Sequence, residues 1–239
     1  MDGSKIKVFV DFDGTITTED VGDAIFREFG NPETVDKIID DLNKDIISSK
    51  QCWDSLCKCV EKINENDLIS FIDKMNIDPT FKSFVNFCEE NKIDLFVLSD
   101  GFDYYIKRIL KREELSHLKY FANKLKIERE KLFPECPYFN PDYPISANPK
   151  QFHIINNSSD DNYTIYIGDG NSDKEAAQYC DYIFAKNSLL KFCERERISY
   201  WPFNNFDDVT KRIKELLSRK RLKKRHQAQI KRKHAYEAE

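Results

Sequence analysis

Three short apolar segments of the sequence each run into a polar turn. They are KIKVFVDFDGT, which contains Asp11, IDLFVLSDG, which contains Ser99, and NYTIYIGDGNSD, which contains Asp169. Segments of this length are typical of buried strands, and the polar residues with glycine mark the turns that end them. Stretches with helical spacing of apolar residues lie between the three. This alternation predicts a doubly wound parallel α/β sheet, Rossmann-like, with helices on both faces.

The stretch after the first predicted strand is too long for an ordinary loop. From Thr18 to about Asn76, apolar residues recur at helical spacing, which predicts four short helices in a small cap domain. The chain is therefore expected to have three parts. They are a catalytic core of residues 1–17 and 78–218, a helical cap of residues 18–77, and a basic C-terminal tail of residues 219–239.

Charge is distributed unevenly along the 239 residues, which include 38 Lys or Arg and 42 Asp or Glu. Residues 219–239 hold nine Lys or Arg and two Glu, so this tail carries +7 and the remaining residues carry −11. Such an acidic body is not typical of a nucleic-acid-binding protein. The tail alone is basic enough to bind nucleic acid or an anionic membrane surface. We favour the simpler interpretation, a solvated extension of the last helix.

Two further classes of protein are disfavoured by the sequence. No apolar run approaches the ~20 residues that a membrane-spanning helix needs, and no leader-like segment is recognisable, so we expect a cytoplasmic protein. Only Cys52, Cys57 and Cys59 form a cluster among the seven cysteines, and no histidine completes a zinc-ligand spacing. We therefore expect free buried thiols. The protein itself is expected to be a monomer or a homodimer.

The three turns place carboxylates at the carboxyl ends of the strands, where open α/β sheets bind their ligands. A divalent cation would offset the repulsion among these carboxylates, and Mg²⁺ is favoured because it prefers hard oxygen ligands. Asp11 and Asp13 can face the same side of an extended loop. One carboxylate can then attack phosphorus, while the other protonates the leaving oxygen and later activates water. Gly14 permits close approach to a phosphate, and Ser99 and Lys150 can bind its oxygens.

These features resemble the four motifs of the haloacid dehalogenase superfamily: DFDGT, a hydroxyl residue after the second apolar strand, a downstream lysine, and GDGNSD. The resemblance extends from Lys5 to about Phe206. The position of the helical insert is similar to that of the phosphoserine phosphatase-like branch, and the sequence looks most similar to the methionine-salvage enolphosphatases. The resemblance implies a Mg²⁺-dependent phosphatase that acts on a small phosphorylated metabolite through an aspartyl-phosphate.

The resemblance also implies roles for individual residues. Asp11 would be the nucleophile and Asp13 the general acid and base. Asp13 favours phosphate transfer over dehalogenation, because a halide leaves without a proton. The expected phosphate-binding residues are Gly14, Thr15, Ser99, Asp100, Gly101 and Lys150. The expected metal ligands are Asp11, Asp13 through its carbonyl group, Asp169 and Asp173.

Asp20, Asp23 and Arg27 lie where the cap would meet the core, and we expect them to determine substrate specificity. Phosphoserine phosphatases carry a glutamate at the position of Asp20 and use a cap arginine, for which Arg27 is poorly placed. Phosphoserine itself is therefore less favoured, although a phosphoserine phosphatase stays open as a narrower interpretation. An acidic cap face would favour a substrate with a cationic leaving group, such as phosphoethanolamine or phosphocholine. Asp100 stands where the superfamily often has glycine. Two other functions stay open, a catalytically idle protein that binds a phosphorylated metabolite and a scaffold that docks through its basic tail.

Overall fold

The computed structural model describes residues 5–237, so residues 1–4 of the predicted core and 238–239 of the predicted tail lie outside the described residues. Strands alternate with helices through most of the chain, as predicted. The strands are β1 (Ile6–Asp11), β2 (Asp94–Phe102), β3 (Lys119–Glu128), β4 (Lys131–Glu135), β5 (Tyr163–Gly168), β6 (Tyr182–Ala185) and β7 (Trp201–Pro202). The helices are α1 (Val21–Phe29), α2 (Pro32–Asn43), α3 (Ser49–Cys59), α4 (Glu65–Ile72), α5 (Phe81–Glu90), α6 (Asp103–Arg112), α7 (Lys150–Asn156), α8 (Lys174–Gln178), α9 (Asn187–Arg195), α10 (Phe206–Leu217) and α11 (His226–Glu237).

The strands form one sheet in the order β4-β3-β2-β1-β5-β6-β7. Every neighbouring pair is parallel except β3 and β4, which form an antiparallel hairpin at one edge. Helices cover both faces of the central strands. Val8 and Val10 of β1 therefore belong to one apolar cluster, and Phe9 between them belongs to the other. The predicted α/β class is confirmed, with one antiparallel edge that the sequence did not reveal.

The segment between β1 and α5 contains four helices, α1 to α4, the number that the sequence predicts. Local capping sets their starts, since the Asp20 carboxylate accepts from Asp23 N at the start of α1, and Ser48 forms a capping box with Gln51 at the start of α3. Aromatic side chains join these helices to the core, and the Trp53 and Phe102 ring centroids lie 4.7 Å apart. We keep residues 18–77 as the proposed cap.

The basic C-terminal segment is not a solvated extension of α10, so the interpretation that we favoured from the sequence was wrong. α11 is a separate helix that contacts α7 and α8. Arg232 on α11 is completely buried, and its Nη2 donates to both carboxylate oxygens of Asp181 at 3.1 and 3.2 Å. Arg225 donates to the carbonyl oxygens of residues 177, 178 and 180. These contacts fix the segment to the core.

None of the helices within residues 5–237 has the length and apolar character that a membrane span requires. The seven cysteines all lie in this part of the chain and are free thiols; five are buried, as expected, whereas Cys59 and Cys136 are only half-buried. Burial raises the pKa of the Cys52 thiol to about 12.

Candidate active site

The carboxyl ends of β1 and β5 bring three carboxylates together. Asp11 is the last residue of β1, and Asp169 and Asp173 follow β5, the neighbour of β1 in the sheet. One ligand oxygen from each of the three lies within 4.8 Å of the others. The structure thus gathers three of the four residues that the sequence nominated as metal ligands, at the edge of the sheet where such ligands were expected.

Lys150 lies between two of these carboxylates. It is the first residue of α7, and its Nζ donates to Asp11 Oδ1 at 2.5 Å and to Asp173 Oδ1 at 2.6 Å. Burial alone would lower the pKa of Lys150, but the two carboxylates raise it above its usual value. The ammonium group therefore stays charged. One positive charge cannot balance three carboxylates, and burial together with the neighbouring carboxylate of Asp173 raises the pKa of Asp11 well above its usual value and raises the pKa of Asp169.

The donor set fits a divalent cation. Carboxylate oxygens are the hard ligands that Mg²⁺ prefers, and three carboxylates with one ammonium leave the charge that such an ion would balance. The orientation of Asp169 is fixed, because Thr15 Oγ1 donates to its Oδ1 at 3.0 Å and Asn187 Nδ2 donates to its Oδ2 at 3.2 Å. The backbone amides of residues 169 and 170 both donate to Asp173 Oδ2 at 2.9 Å. Hydrogen bonds of this kind tune metal ligands.

The Asp13 side chain faces a different set of partners. Its Oδ2 accepts from Ser99 Oγ and from the Tyr105 hydroxyl group, each at 2.9 Å, and its Oδ1 accepts from Val21 N at 3.2 Å. Burial raises the pKa of Asp13 above its usual value, although these hydrogen bonds lower it in part. A carboxyl group with a raised pKa is suited to carry a proton that it can give to a leaving group.

Gly14 and Thr15 shape the turn after β1. Gly14 has a φ of +73°, and a Cβ atom at this position would lie 2.9 Å from Asp169 Oδ2, so the turn requires glycine. The Gly14 amide donates to Thr17 Oγ1 at 3.1 Å, and the Thr15 hydroxyl group donates to Asp169. Both donors are thus engaged within the protein, and phosphate binding by Gly14 and Thr15 stays a prediction.

The second motif lies within β2, which continues through Ser99, Asp100 and Gly101 where the sequence predicted a loop. The Asp100 carboxylate accepts from Asn148 N at 3.0 Å, and Asn148 Nδ2 donates to the Ser99 carbonyl oxygen at 2.7 Å. Burial raises the pKa of Asp100 to about 6. Asp100 therefore joins β2 to the segment that leads into Lys150, a contact that explains an acidic residue at this position.

A cavity of about 480 Å³ opens beside Asp11, Asp13 and Asp169. Among the described residues that line it, none is Lys or Arg. Arg27 does not line the cavity itself, but its guanidinium group forms ion pairs with Asp23, which does line it, and with Asp36. The side of the cavity formed by residues 18–77 is acidic and apolar, and it is lined by Thr18, Glu19, Asp20, Asp23, Ile39, Leu42, Asn43, Cys52, Trp53 and Leu56.

Several residues that contact this site were not predicted from the sequence, among them Tyr105, Asn148, Tyr166 and Asn187. Tyr105 lies on the buried side of α6, and its helical spacing from Phe102 indicates a core residue but not the target of its hydroxyl group. Asn148 precedes Lys150 in a segment rich in turn residues, where no sequence signal distinguishes it from its neighbours.

Comparison with known proteins supports the phosphatase class that the sequence motifs predicted. Residues 6–132 match the family described as "Putative Phosphatase". The 2-hydroxy-3-keto-5-methylthiopentenyl-1-phosphate phosphatase of Bacillus cereus is 30% identical over 219 residues, which cover 89% of this chain and 97% of that protein. The Pdp3-interacting factor 1 of Schizosaccharomyces pombe is 28% identical over 228 residues, with 89% and 96% covered. A phosphoserine phosphatase solved as a phospho-aspartyl intermediate analogue has a TM-score of 0.69 at 19% identity, covering 88% of this chain and 99% of that one.

The fold and these relatives define a phosphatase of the haloacid dehalogenase superfamily, a phosphoric monoester hydrolase. The chain belongs to the family described as "Putative Phosphatase". The resemblance to methionine-salvage enolphosphatases, first drawn from the motifs, is confirmed by the Bacillus cereus relative.

Proposed function

We propose that the protein is a Mg²⁺-dependent phosphatase of small phosphomonoesters and that Asp11 carries the phosphoryl group as an aspartyl-phosphate. Asp11 lines the cavity, and its buried contact with Lys150 is the observation that supports this most strongly. Lys150 orients one oxygen of the nucleophile and offsets its charge. Asp13 lies two residues away and has separate hydrogen-bond partners, which suits a group with a separate task.

The chemistry proceeds in two steps. The Asp11 carboxylate forms a bond to phosphorus as the bond to the leaving oxygen breaks, and the proton of Asp13 passes to that oxygen. Asp13 then takes a proton from water, the water oxygen bonds to phosphorus, and the bond between Asp11 and phosphorus breaks. Ser99 donates a hydrogen bond to a phosphoryl oxygen in both steps.

Asp11, Asp169 and Asp173, with the carbonyl group of Asp13, are the residues that would hold Mg²⁺. The ion would supply Lewis-acid stabilisation of the charge on the phosphoryl group. We expect turnover of para-nitrophenyl phosphate in the presence of Mg²⁺ and a fall of roughly 100-fold or more after chelation, because this stabilisation is worth several kcal/mol. Titration calorimetry should show Mg²⁺ binding that Asp169→Asn weakens. A catalytically idle binding protein would show no turnover under either condition.

The cavity also indicates the kind of leaving group. Its acidic and apolar lining provides no basic side chain for a second anionic group, so we propose a substrate whose leaving group is neutral or cationic. Phosphoethanolamine and phosphoserine form a matched pair, because phosphoserine adds only a carboxylate. We expect kcat/KM to be at least about tenfold lower for phosphoserine, since its carboxylate would be repelled by the carboxylates that line the cavity. Equal values, or a preference for phosphoserine, would contradict this proposal.

The same assay should include 2-hydroxy-3-keto-5-methylthiopentenyl-1-phosphate, for which the Bacillus cereus relative is named. Asp23→Asn serves as the matched variant, because it removes one negative charge from the cavity wall and leaves Arg27 paired with Asp36 alone. Both changes make the wall less acidic, so the difference between phosphoethanolamine and phosphoserine should narrow. A cytoplasmic location and a monomeric or homodimeric state stay predictions from the sequence.

A further inference from the structure

Tyr105 is buried beside the carboxyl group to which we assign acid–base chemistry. Its side chain is fully enclosed, and its hydroxyl group donates to Asp13 Oδ2 at 2.9 Å. The only other side-chain donor to this carboxylate among the described residues is Ser99, which binds the same oxygen at the same distance. Val21 N occupies the other oxygen, Oδ1. Oδ2 therefore accepts two hydrogen bonds, and it has room for the transferable proton only when one of the two hydroxyl groups turns away.

Ser99 and Tyr105 differ in whether their hydroxyl group can stay bonded to Asp13 when a phosphate is bound. A serine hydroxyl group has one hydrogen and can donate it to one acceptor at a time. When Ser99 donates to a phosphoryl oxygen, as proposed above, it no longer donates to Asp13. Tyr105 then keeps Oδ2 in place. We infer that Tyr105 is a positioning residue for Asp13, which holds Oδ2 where its proton reaches the leaving oxygen. This inference rests on the proposed role of Asp13.

The surrounding backbone leaves space for this contact. A Cβ atom at Gly101 would lie 1.7 Å from the Tyr105 hydroxyl oxygen and 2.9 Å from Asp13 Oδ2, so glycine at this position is what allows the two groups to meet. The Tyr105 ring lies beside Phe12, with centroids 6.1 Å apart. A tyrosine ring has few rotatable bonds, and an enclosed one holds its hydroxyl group in one direction.

Tyr105→Phe tests the inference, because it removes the hydroxyl group and keeps the ring. An alkyl phosphate needs a proton on its leaving oxygen, whereas para-nitrophenolate leaves readily without one. We expect kcat/KM for phosphoethanolamine to fall roughly tenfold or more, as for a partly disabled general acid. For para-nitrophenyl phosphate, kcat/KM should fall by less than about threefold. A role in packing alone would lower both values by the same factor.

Tyr104→Phe is the matched control, because the hydroxyl group of this neighbouring tyrosine donates to Glu65 at 2.8 Å on the surface. It should leave both values unchanged, and melting curves should show that both variants are folded at the assay temperature. Equal losses on the two substrates, or no loss, would overturn the inference. Asp13→Asn separates this failure from a failure of the proposed function. If Asp13→Asn spares alkyl phosphate hydrolysis, the role of Asp13 is wrong. If Asp13→Asn is selective and Tyr105→Phe is not, only the role of Tyr105 is wrong.

Discussion

Replacing Asp11 with asparagine is expected to lower kcat by about 10⁴-fold or more, a loss of the size seen when a covalent nucleophile is removed. The amide of asparagine has nearly the same shape but is a poor nucleophile towards phosphorus. The substitution also removes the negative charge that Lys150 contacts at 2.5 Å. Steady-state turnover of phosphoethanolamine and para-nitrophenyl phosphate with Mg²⁺ measures the effect.

Asp94→Asn is the matched control for this substitution. Asp94 is the first residue of β2 and so lies at the amino ends of the strands, whereas the site lies at their carboxyl ends. Its partly exposed carboxylate forms an ion pair with Lys7 at 3.3 Å. Such a pair contributes at most about 1 kcal/mol to stability, and we expect no effect on turnover at the carboxyl ends of the strands. Turnover by the Asp11→Asn variant within tenfold of the native protein would show that Asp11 is not the nucleophile.

Replacing Arg232 with methionine is expected to destabilise the fold by about 3–5 kcal/mol, because it leaves the Asp181 carboxylate buried without its positive partner. Neither side chain of the pair is exposed to solvent. The Arg232 guanidinium also donates to Thr164 Oγ1 at 3.0 Å, so the substitution removes a hydrogen bond within the core as well. Urea unfolding followed by circular dichroism measures the free energy of unfolding.

Two further variants test whether the loss of stability comes from the buried ion pair. Lys220→Met removes an exposed positive charge from the same basic segment and should change stability by less than about 0.5 kcal/mol. Arg232→Met combined with Asp181→Asn should be more stable than Arg232→Met alone, since no unpaired carboxylate is left in the core. If Arg232→Met and Lys220→Met unfold at the same urea concentration, α11 is not fixed to the core as the structure indicates.

The sequence was sufficient to predict the convergence of Asp11, Asp169 and Asp173. Each residue follows an apolar segment of strand length, and the parallel strands of an α/β sheet end at the same edge. The apolar segments that precede Asp11 and Asp169, and the rule that parallel strands end at the same edge, thus place these residues together. The four helices of the insert were predictable for a similar reason, because helical spacing is a local pattern.

Contacts between distant segments were not predictable from local patterns. The charge run that contains Arg232 looks the same whether it is solvated or buried, and its partner Asp181 lies between α8 and β6 with no sequence signal that links the two. The contact of the Tyr105 hydroxyl group with Asp13 depends on the absence of a side chain at Gly101, which spacing alone does not show. The role of Arg27 was not predictable for a similar reason, because its ion pairs with Asp23 and Asp36 are contacts that spacing alone does not show.

Chemical trapping of the phosphorylated enzyme tests the covalent role of Asp11 most directly. The protein is mixed with substrate and Mg²⁺, quenched with acid and treated with borohydride, which reduces an acyl phosphate to an alcohol and so converts the modified aspartate to homoserine. Peptide mass spectrometry should find homoserine at position 11, and only when substrate is present. Conversion of another carboxylate, or none under conditions of rapid turnover, would contradict an aspartyl-phosphate on Asp11.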